Sequence, residues 1–396
     1  MQNPTLFIEI NNSEYFFAVA DSNEEEEFNL IYKHTAPIRG IENSRISNFD
    51  LVYNDIKKNI YLIKKNLNFI FKDTVLIINN FHCSFINYTG YKKLNGSQIL
   101  KENITYILNS LKANIDKIEN KKSILHIFNS EYSLDKKKIK NLPIGLFGDF
   151  YSHELSFCLI NNNDLNSLKN IFDKCNLGIK KILLKSFAEG AYISNDNKEI
   201  ESFFHVKINK NNSQITYFEN DALKFDENFN FGSELVLKDI SKVTSLKINT
   251  VKKIIDKTDL TLSTNKDELI EKYLFNEENY IKIKKRLLYQ IAEARIEEVL
   301  ERIITKNINF LSFSKKKVKF FVHIHDQTYF ECFKSIYSYF FSKKNNLQLE
   351  FIKNIPINDF IYNVYKLVYF GWKKEAIPIA NTKKSVIARF FEALFK

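Results

Sequence analysis

Two apolar hairpin patterns, one opening each half of the chain, constrain the fold more than any other feature. In the first, Leu6–Ile10 and Tyr15–Ala20 flank the polar turn Asn11–Glu14; in the second, Phe203–Ile208 and Gln214–Phe218 flank the polar turn Asn209–Ser213. Runs of this kind around a polar turn read as β-hairpins. A chain whose halves begin alike predicts a duplicated α/β fold. Its 396 residues leave room for more than one domain.

Helix and strand patterns alternate after each hairpin. Val52, Ile56, Ile60, Ile63, Leu67 and Ile70 recur at steps of three and four, the buried face of a helix, and Thr74–Ile78 reads as a strand. A block from Asn79 to Leu159 holds a helix with Ile104, Ile107, Leu108, Leu111, Ile115 and Ile118 on one face, the strand Ser123–Phe128 and the loop Ile139–Gly148. His153–Leu159, Asp164–Cys175 and Ile179–Leu184 then read as strand, helix and strand, the order of a mixed α/β sheet. The second half continues with helices from Glu234 to Ile255. A long helix covers Asn279–Thr305, with Ile283, Leu287, Ile291, Ile296, Val299 and Ile303 inward. The strand Lys319–Ile324 and the helix Glu331–Phe341 follow.

Charge narrows the function classes. Lys and Arg total 58 against 47 Asp and Glu, a net +11, but only six of the basic residues are Arg. Sequence-reading proteins lean on Arg for bidentate base contacts. The abundance of Lys, Asn, Ile and Phe reads instead as a codon bias, so no nucleic-acid partner is expected. Cys83, Cys158, Cys175 and Cys332 are far apart and form no C-x-x-C pair, which predicts neither a disulfide framework nor a zinc site, and a reducing cytoplasm. No signal peptide and no membrane span are expected. Glu24–Glu27, Lys136–Lys138 and Lys315–Lys317 read as solvated charge runs. His323, His325 and Asp326 have the spacing of a strand face, but without a second cluster they read as a polar loop, and no metal is expected.

The segment His126–Gly190 resembles the bacterial cell-division protein family FtsA. The family pattern "I-x-N-P-x-G-(L/M)-x-G" is approached by Ile139, Asn141, Pro143, Gly145, Leu146 and Gly148, with one extra residue before the proline. Cys175, Leu177 and Ala188 follow in place. Arg39-Gly40-Ile41, Asp239-Ile240 and Glu293-Ala294-Arg295 resemble the family's "S-R-G-I", "D-I-A" and "E-(A/P)-R" in the same order. The resemblance implies an actin-like, ribonuclease H-like duplicated fold of two α/β lobes with an inserted SHS2-type subdomain. Residues 1–78, 160–198 and 356–377 would form the first lobe, 79–159 the insert, 199–222 with 306–355 the base of the second lobe and 223–305 its subdomain. A linker, 378–384, would lead to a terminal helix, 385–396.

The resemblance also implies a function. The family tethers FtsZ polymers to the cytoplasmic face of the bacterial cell membrane at the division site. It would recruit later divisome proteins through the insert and self-associate into filaments. ATP with magnesium is implied as cofactor, yet the three motifs that hold it are altered. Phosphates sit in hairpin turns of the form "D-x-G-x-(T/S)", whose glycines let backbone N–H groups approach. Here the first turn keeps Glu9 but reads Asn11, Asn12, Ser13. The second places Lys207 at the Asp and reads Asn209, Lys210, Asn211. The glycine-rich adenosine motif is replaced by His323, Ile324 and His325, and no glycine occurs between Gly232 and Gly371. The preferred reading is a scaffold with weakened or lost ATP binding and no catalytic residue. The alternatives are an actin-like ATPase turning over slowly through Glu9, or a related pilus-assembly actin-like protein.

Two partner surfaces complete the expectations. The resemblance places the acidic, apolar FtsZ C-terminal tail at Arg295, and Lys282, Lys285 and Arg286 add positive charge to the same helix. In the terminal stretch, Val386, Ile387, Phe390, Phe391, Leu394 and Phe395 form an apolar stripe, with Lys384, Arg389 and Lys396 about it. That is the pattern of an interfacial helix on an anionic membrane. The alternative is a terminal helix docked on the protein's own core.

Overall fold

The computed structural model describes residues 4–11, 13–22, 28–42, 44–79, 81–258, 268–275, 278–313, 318–344 and 346–376. They fall into two compact units: Met1–Glu201 with Phe218–Asp226 and Ile355–Lys396, and Ser202–Tyr217 with Glu227–Asn354.

The first unit begins with an antiparallel meander, β1 (Thr5–Ile10), β2 (Glu14–Ser22) and β3 (Phe28–Pro37). All six residues of β1 are buried, as a near-continuous apolar central strand requires. A small ladder, β4 (Ile41–Glu42) with β5 (Arg45–Ile46), leads to α1 (Phe49–Leu67). Asn48 caps α1 by accepting the Leu51 N–H at 3.1 Å, and Asn68 ends it in the left-handed region at φ 49°. Val52, Ile56, Ile60 and Ile63 are buried as expected. Ile70 lies past the cap and is 77% exposed, so the apolar spacing overran the helix. β6 (Asp73–Ile78) pairs parallel to β1.

The chain then leaves this sheet. β7 (Cys83–Lys93), α2 (Lys101–Ile118), β8 (Lys122–Leu134), β9 (Lys137–Ile139) and β10 (Phe150–Asn161) build a separate sheet of order β7-β10-β8-β9. Ile107, Leu111 and Ile115 of α2 pack with Tyr151, Leu155, Phe157 and Leu159 of β10 in its core. Each such side chain contributes about 1.5–3 kcal/mol when fully buried. Ile118 ends the helix exposed, contrary to the periodicity. The chain returns through α3 (Asn162–Lys174), β11 (Gly178–Leu184), which pairs parallel to β6, and α4 (Lys185–Asp196).

The second unit repeats the first. β12 (Phe203–Ile208), β13 (Ser213–Glu219) and β14 (Ala222–Phe229) come first. α5 (Glu234–Thr244), α6 (Ile248–Lys257), a 3-10 turn at Lys272–Phe275, α7 (Lys285–Leu300), a π turn at Glu301–Thr305 and α8 (Ile308–Phe313) follow. β15 (Val318–Ile324), α9 (Gln327–Ser342) and β16 (Leu347–Phe351) complete it, and α10 (Ile357–Tyr369) returns to the first unit. The two large sheets run β3-β2-β1-β6-β11 and β14-β13-β12-β15-β16, the same order of three meander strands and two crossover strands. The duplication expected from the paired hairpins is therefore real. The expected long helix is shorter: Ile283 is buried but precedes α7, and Leu287 is exposed. Phe218–Asp226, divided by the sequence between the second lobe's base and its subdomain, groups with the first unit.

Candidate functional site

The first hairpin turn joins β1 to β2. The Asn11 N–H donates to the Glu14 carbonyl at 3.1 Å, and Asn11 Oδ1 accepts from Asn79 Nδ2 at 2.8 Å. Ser13 is exposed, and Asn12 lies outside the described residues. Glu9, just before the turn, is 3% exposed and forms an ion pair with Lys185 Nζ at 2.6 Å. Lys185 is the first residue of α4. Burial alone would lower its pKa; the Glu9, Glu189 and Glu14 carboxylates outweigh that and raise it. Lys185 therefore stays charged. The carboxylate that the resemblance offered as a remnant of the magnesium site is matched by an internal ammonium.

The second turn joins β12 to β13 and closes through the Asn209 N–H and the Asn212 carbonyl at 2.9 Å. Its carbonyls face the start of α5. The Ser233 N–H donates to Asn209 O at 3.0 Å and the Glu234 N–H to Lys210 O at 2.9 Å. The Leu235 and Val236 N–H groups go to Gly232 O and Ser233 O. The opening N–H groups of a helix are where an anion binds, because they lack intrahelical partners. Here backbone carbonyls take them. Gly232 makes this possible: a Cβ there would stand 2.1 Å from Asn209 O. Lys210 Nζ lies 3.6 Å from Glu234, Asn211 is exposed, and Lys207 is buried in β12 opposite His323 of β15.

The third altered motif follows β15. The His323 and His325 rings are 6.3 Å apart between centroids, and the His325 N–H donates to Ile208 O at 3.0 Å. Asp326, grouped by the sequence with the two histidines, caps α9 by accepting the Tyr329 N–H at 3.0 Å. Only His325 and Asp326 separate strand from helix, which leaves no room for a glycine-rich loop. Among the described residues, no three His, Cys, Asp or Glu side chains are grouped to hold a metal ion.

The expected tail-binding face is partly occupied. Arg295 binds Asp239 of α5 through Nε and Glu298 at 2.7 Å through Nη1, and Asp239 holds its pKa above the usual range. Two of the motif fragments singled out in the sequence thus pair with one another. Lys285 pairs with Glu268. Lys282 precedes α7 and so is not on its face, while Arg286 lies in its first turn. Tyr280, Ile281 and Leu287 in the same stretch are exposed. The apolar stripe Val386, Ile387, Phe390, Phe391, Leu394 and Phe395, with Lys384, Arg389 and Lys396, lies outside the described residues, as do Lys315–Lys317.

One constellation escaped the sequence reading. The short stretch Trp372–Ala376 is strapped along β8: the Asn129 N–H donates to Lys374 O and the Ala376 N–H to Ile127 O, each at 2.7 Å. The Trp372 indole N–H donates to Asp221 O at 2.8 Å, and Lys373 pairs with the Asp221 carboxylate at 2.6 Å. Glu375 is held by His126 Nδ1 at 3.0 Å and Lys181 Nζ at 2.7 Å. Burial would raise the pKa of Glu375, but Lys181 and His126 outweigh it and bring it down to about 2. The only hint in the sequence was Trp372, the single tryptophan.

No family model matches the chain. Among curated proteins it is 23% identical over 286 residues to the cell division protein FtsA of Buchnera aphidicola subsp. Schizaphis graminum, covering 71% of this chain and 66% of that protein. It is 21% identical to the protein of the same name from the subspecies Acyrthosiphon pisum, covering 59% and 56%. Against that of the subspecies Baizongia pistaciae it is 23% identical over 387 residues, covering 92% and 90%. The first two matches thus span less than two thirds of those relatives. Among solved structures, a chain of the PilM–PilN type IV pilus biogenesis complex superposes with a TM-score of 0.53 at 7% identity, covering 94% of this chain and 99% of that one. The fold is actin-like.

Proposed function

We propose that this chain, a divergent relative of the FtsA cell-division proteins, is a division scaffold that tethers FtsZ polymers to the cytoplasmic face of the membrane without a nucleotide cycle. One observation carries the proposal: each turn that would cradle phosphate is closed from within the chain. Glu9 is matched by Lys185, and the opening N–H groups of α5 are taken by carbonyls, two of them from the second turn itself. The apolar stripe 386–395 would supply a marginal, reversible membrane contact, strengthened when several copies sit on one FtsZ polymer. Lys282 and Arg286, beside exposed Tyr280, Ile281 and Leu287, suit an acidic, apolar tail. The test is co-sedimentation of FtsZ with anionic vesicles in the presence of the full chain. The expected result is recruitment that is equal with and without Mg-ATP, lost in Phe390→Glu/Phe391→Glu, and accompanied by no saturable calorimetric heat with Mg-ATP. Recruitment that requires ATP, or stoichiometric ATP binding, would favour the ATPase reading instead.

A further inference from the structure

One end of the β7–β10 sheet exposes an unusual amount of apolar surface. Three backbone segments meet there. Residues 97–99 run beside 145–148 through the Ile99 N–H to Leu146 O at 2.8 Å and the Gly145 N–H to Ile99 O at 2.9 Å. The Leu94 N–H donates to Asp149 O at 2.7 Å. The turn between β8 and β9 is fastened to the same place: Asp135 Oδ1 accepts the N–H groups of Asp149 and Phe150 at 2.9 and 2.8 Å. Gly148 lets the segments close up, since a Cβ there would lie 2.4 Å from the Leu134 side chain.

These loops are well tied by hydrogen bonds, yet their large side chains point outward. Phe147 is 69% exposed, Tyr91 60%, and Leu100, Leu146 and Phe150 between 42% and 50%. Tyr91 and Phe150 stack at 5.5 Å, and Lys92 stands 4.5 Å over the exposed Tyr106 ring. Lys93, Lys101, Lys136 and Lys137 belong to the same strand ends and loops, against the carboxylates Asp149, Glu102 and Asp135, the last already accepting two N–H groups. Peptides are generally received in grooves or along strand edges. Protruding aromatic and aliphatic loop residues rimmed by lysine fit a lipid headgroup layer: rings enter the interface and ammonium groups meet phosphates.

We infer that this tip, Tyr91, Leu100, Leu146, Phe147 and Phe150 with the lysines beside them, is a second membrane contact that inserts into an anionic lipid surface. It deepens the reading of the chain as a membrane tether. Two weak contacts on one chain raise residence far above either alone.

The probe is the full chain carrying Phe147→Trp, mixed with phosphatidylglycerol vesicles that bear brominated acyl chains. The expected result is a blue shift and quenching of the introduced indole relative to the parent, whose Trp372 is buried, and neither with phosphatidylcholine. Leu146→Ser/Phe147→Ser should lower vesicle partition by about fivefold or more. A chain that sediments with vesicles while the introduced indole keeps its aqueous emission overturns the tip and leaves the terminal stripe intact. A shift that survives Phe390→Glu/Phe391→Glu upholds the tip and overturns the stripe as sole anchor. A blue shift that grows with protein concentration in the absence of lipid overturns the inference in favour of a second copy. Failure to sediment at all overturns both contacts.

Discussion

The two hairpin turns are equivalent in topology and unlike in physics. Both lack glycine, and both are closed by groups from elsewhere in the chain. The first kept its carboxylate, and a buried charge needs a counter-charge, which Lys185 supplies at 2.6 Å. The second exchanged its carboxylate position for Lys207 and turned its carbonyls onto the first turn of α5. One closure is ionic and centres on Lys185, which Glu9 pairs with directly and Glu189 and Glu14 support. The other is built from backbone hydrogen bonds and a close approach at Gly232. A hairpin turn without glycine is thus closed by two routes, and they should respond differently to mutation.

The largest effect should come from the ionic closure. Lys185→Met strands Glu9 in a buried site and should cost about 3–5 kcal/mol, the range for breaking one side of a buried pair. Glu9→Gln with Lys185→Met should recover part of it, because Glu9 is then neutral while the buried Glu189 carboxylate still loses its neighbouring ammonium. Urea unfolding followed by the emission of Trp372 measures both. A cost below about 1 kcal/mol for the single substitution would mean that water screens the pair and would erase the contrast between the turns.

Acid should sharpen the same contrast, because the first unit holds further buried titratable groups. His153 is buried between Tyr132 and Tyr151, and burial followed by Lys374 lowers its pKa from 6.5 to about 3. A depressed histidine costs stability as pH falls, since the unfolded chain takes up the proton first. Between pH 6.5 and 4.5 the loss should be about 2 kcal/mol. Glu375, depressed to about 2, contributes stability above pH 4.5 that disappears as pH falls toward 2. Acid titration should therefore redden Trp372 emission in two stages. His153→Gln should flatten the upper stage and Glu375→Gln the lower.

The backbone closure should yield less. Gly232→Ala places a Cβ against two carbonyls, at 2.1 and 2.7 Å, and should cost about 2 kcal/mol, within the usual range for overpacking. Adding Glu9→Gln should leave its cost unchanged, whereas it should reduce the cost of Lys185→Met. Equal rescue of the two variants by Glu9→Gln would deny that the closures differ in kind.

How much was legible follows from where the information lies. The paired hairpins gave the duplication, because alternation and polar turns are local. The third meander strands were missed: β3 reads FNLIYKHTAP, its residues alternating between half-buried and exposed along most of its length, and β14 carries Lys224, Asp226 and Glu227. The missing glycines in the two turns were plain from the sequence. Their replacements were not, because Lys185 and Gly232 lie far along the chain from the groups they meet. The strap Trp372–Ala376 was invisible for the same reason: its bonds reach His126, Asn129, Lys181 and Asp221, none of them near in sequence. The buried helix faces were overrun at Ile70 and Ile118, since spacing does not record a left-handed cap or the end of a core.

The smallest predicted effect concerns the face of the second unit, where sequence reasoning placed four charges in one role. Arg295 is spent on Asp239 and Glu298, and Lys285 on Glu268, whereas Arg286 and Lys282 flank exposed apolar residues. A half-buried guanidinium between two helices should act on packing, so Arg295→Gln should lower stability by about 1 kcal/mol and leave FtsZ-tail affinity unchanged. Arg286→Glu should do the reverse: no measurable loss of stability, and tail affinity about three- to tenfold weaker at low salt, with the difference fading as salt rises. Fluorescence anisotropy with a labelled FtsZ tail peptide reads the second quantity, and urea unfolding the first. If Arg295→Gln weakened the tail more than Arg286→Glu, the Asp239 pair would have to open on binding, and the tail would take the guanidinium that now joins α5 to α7.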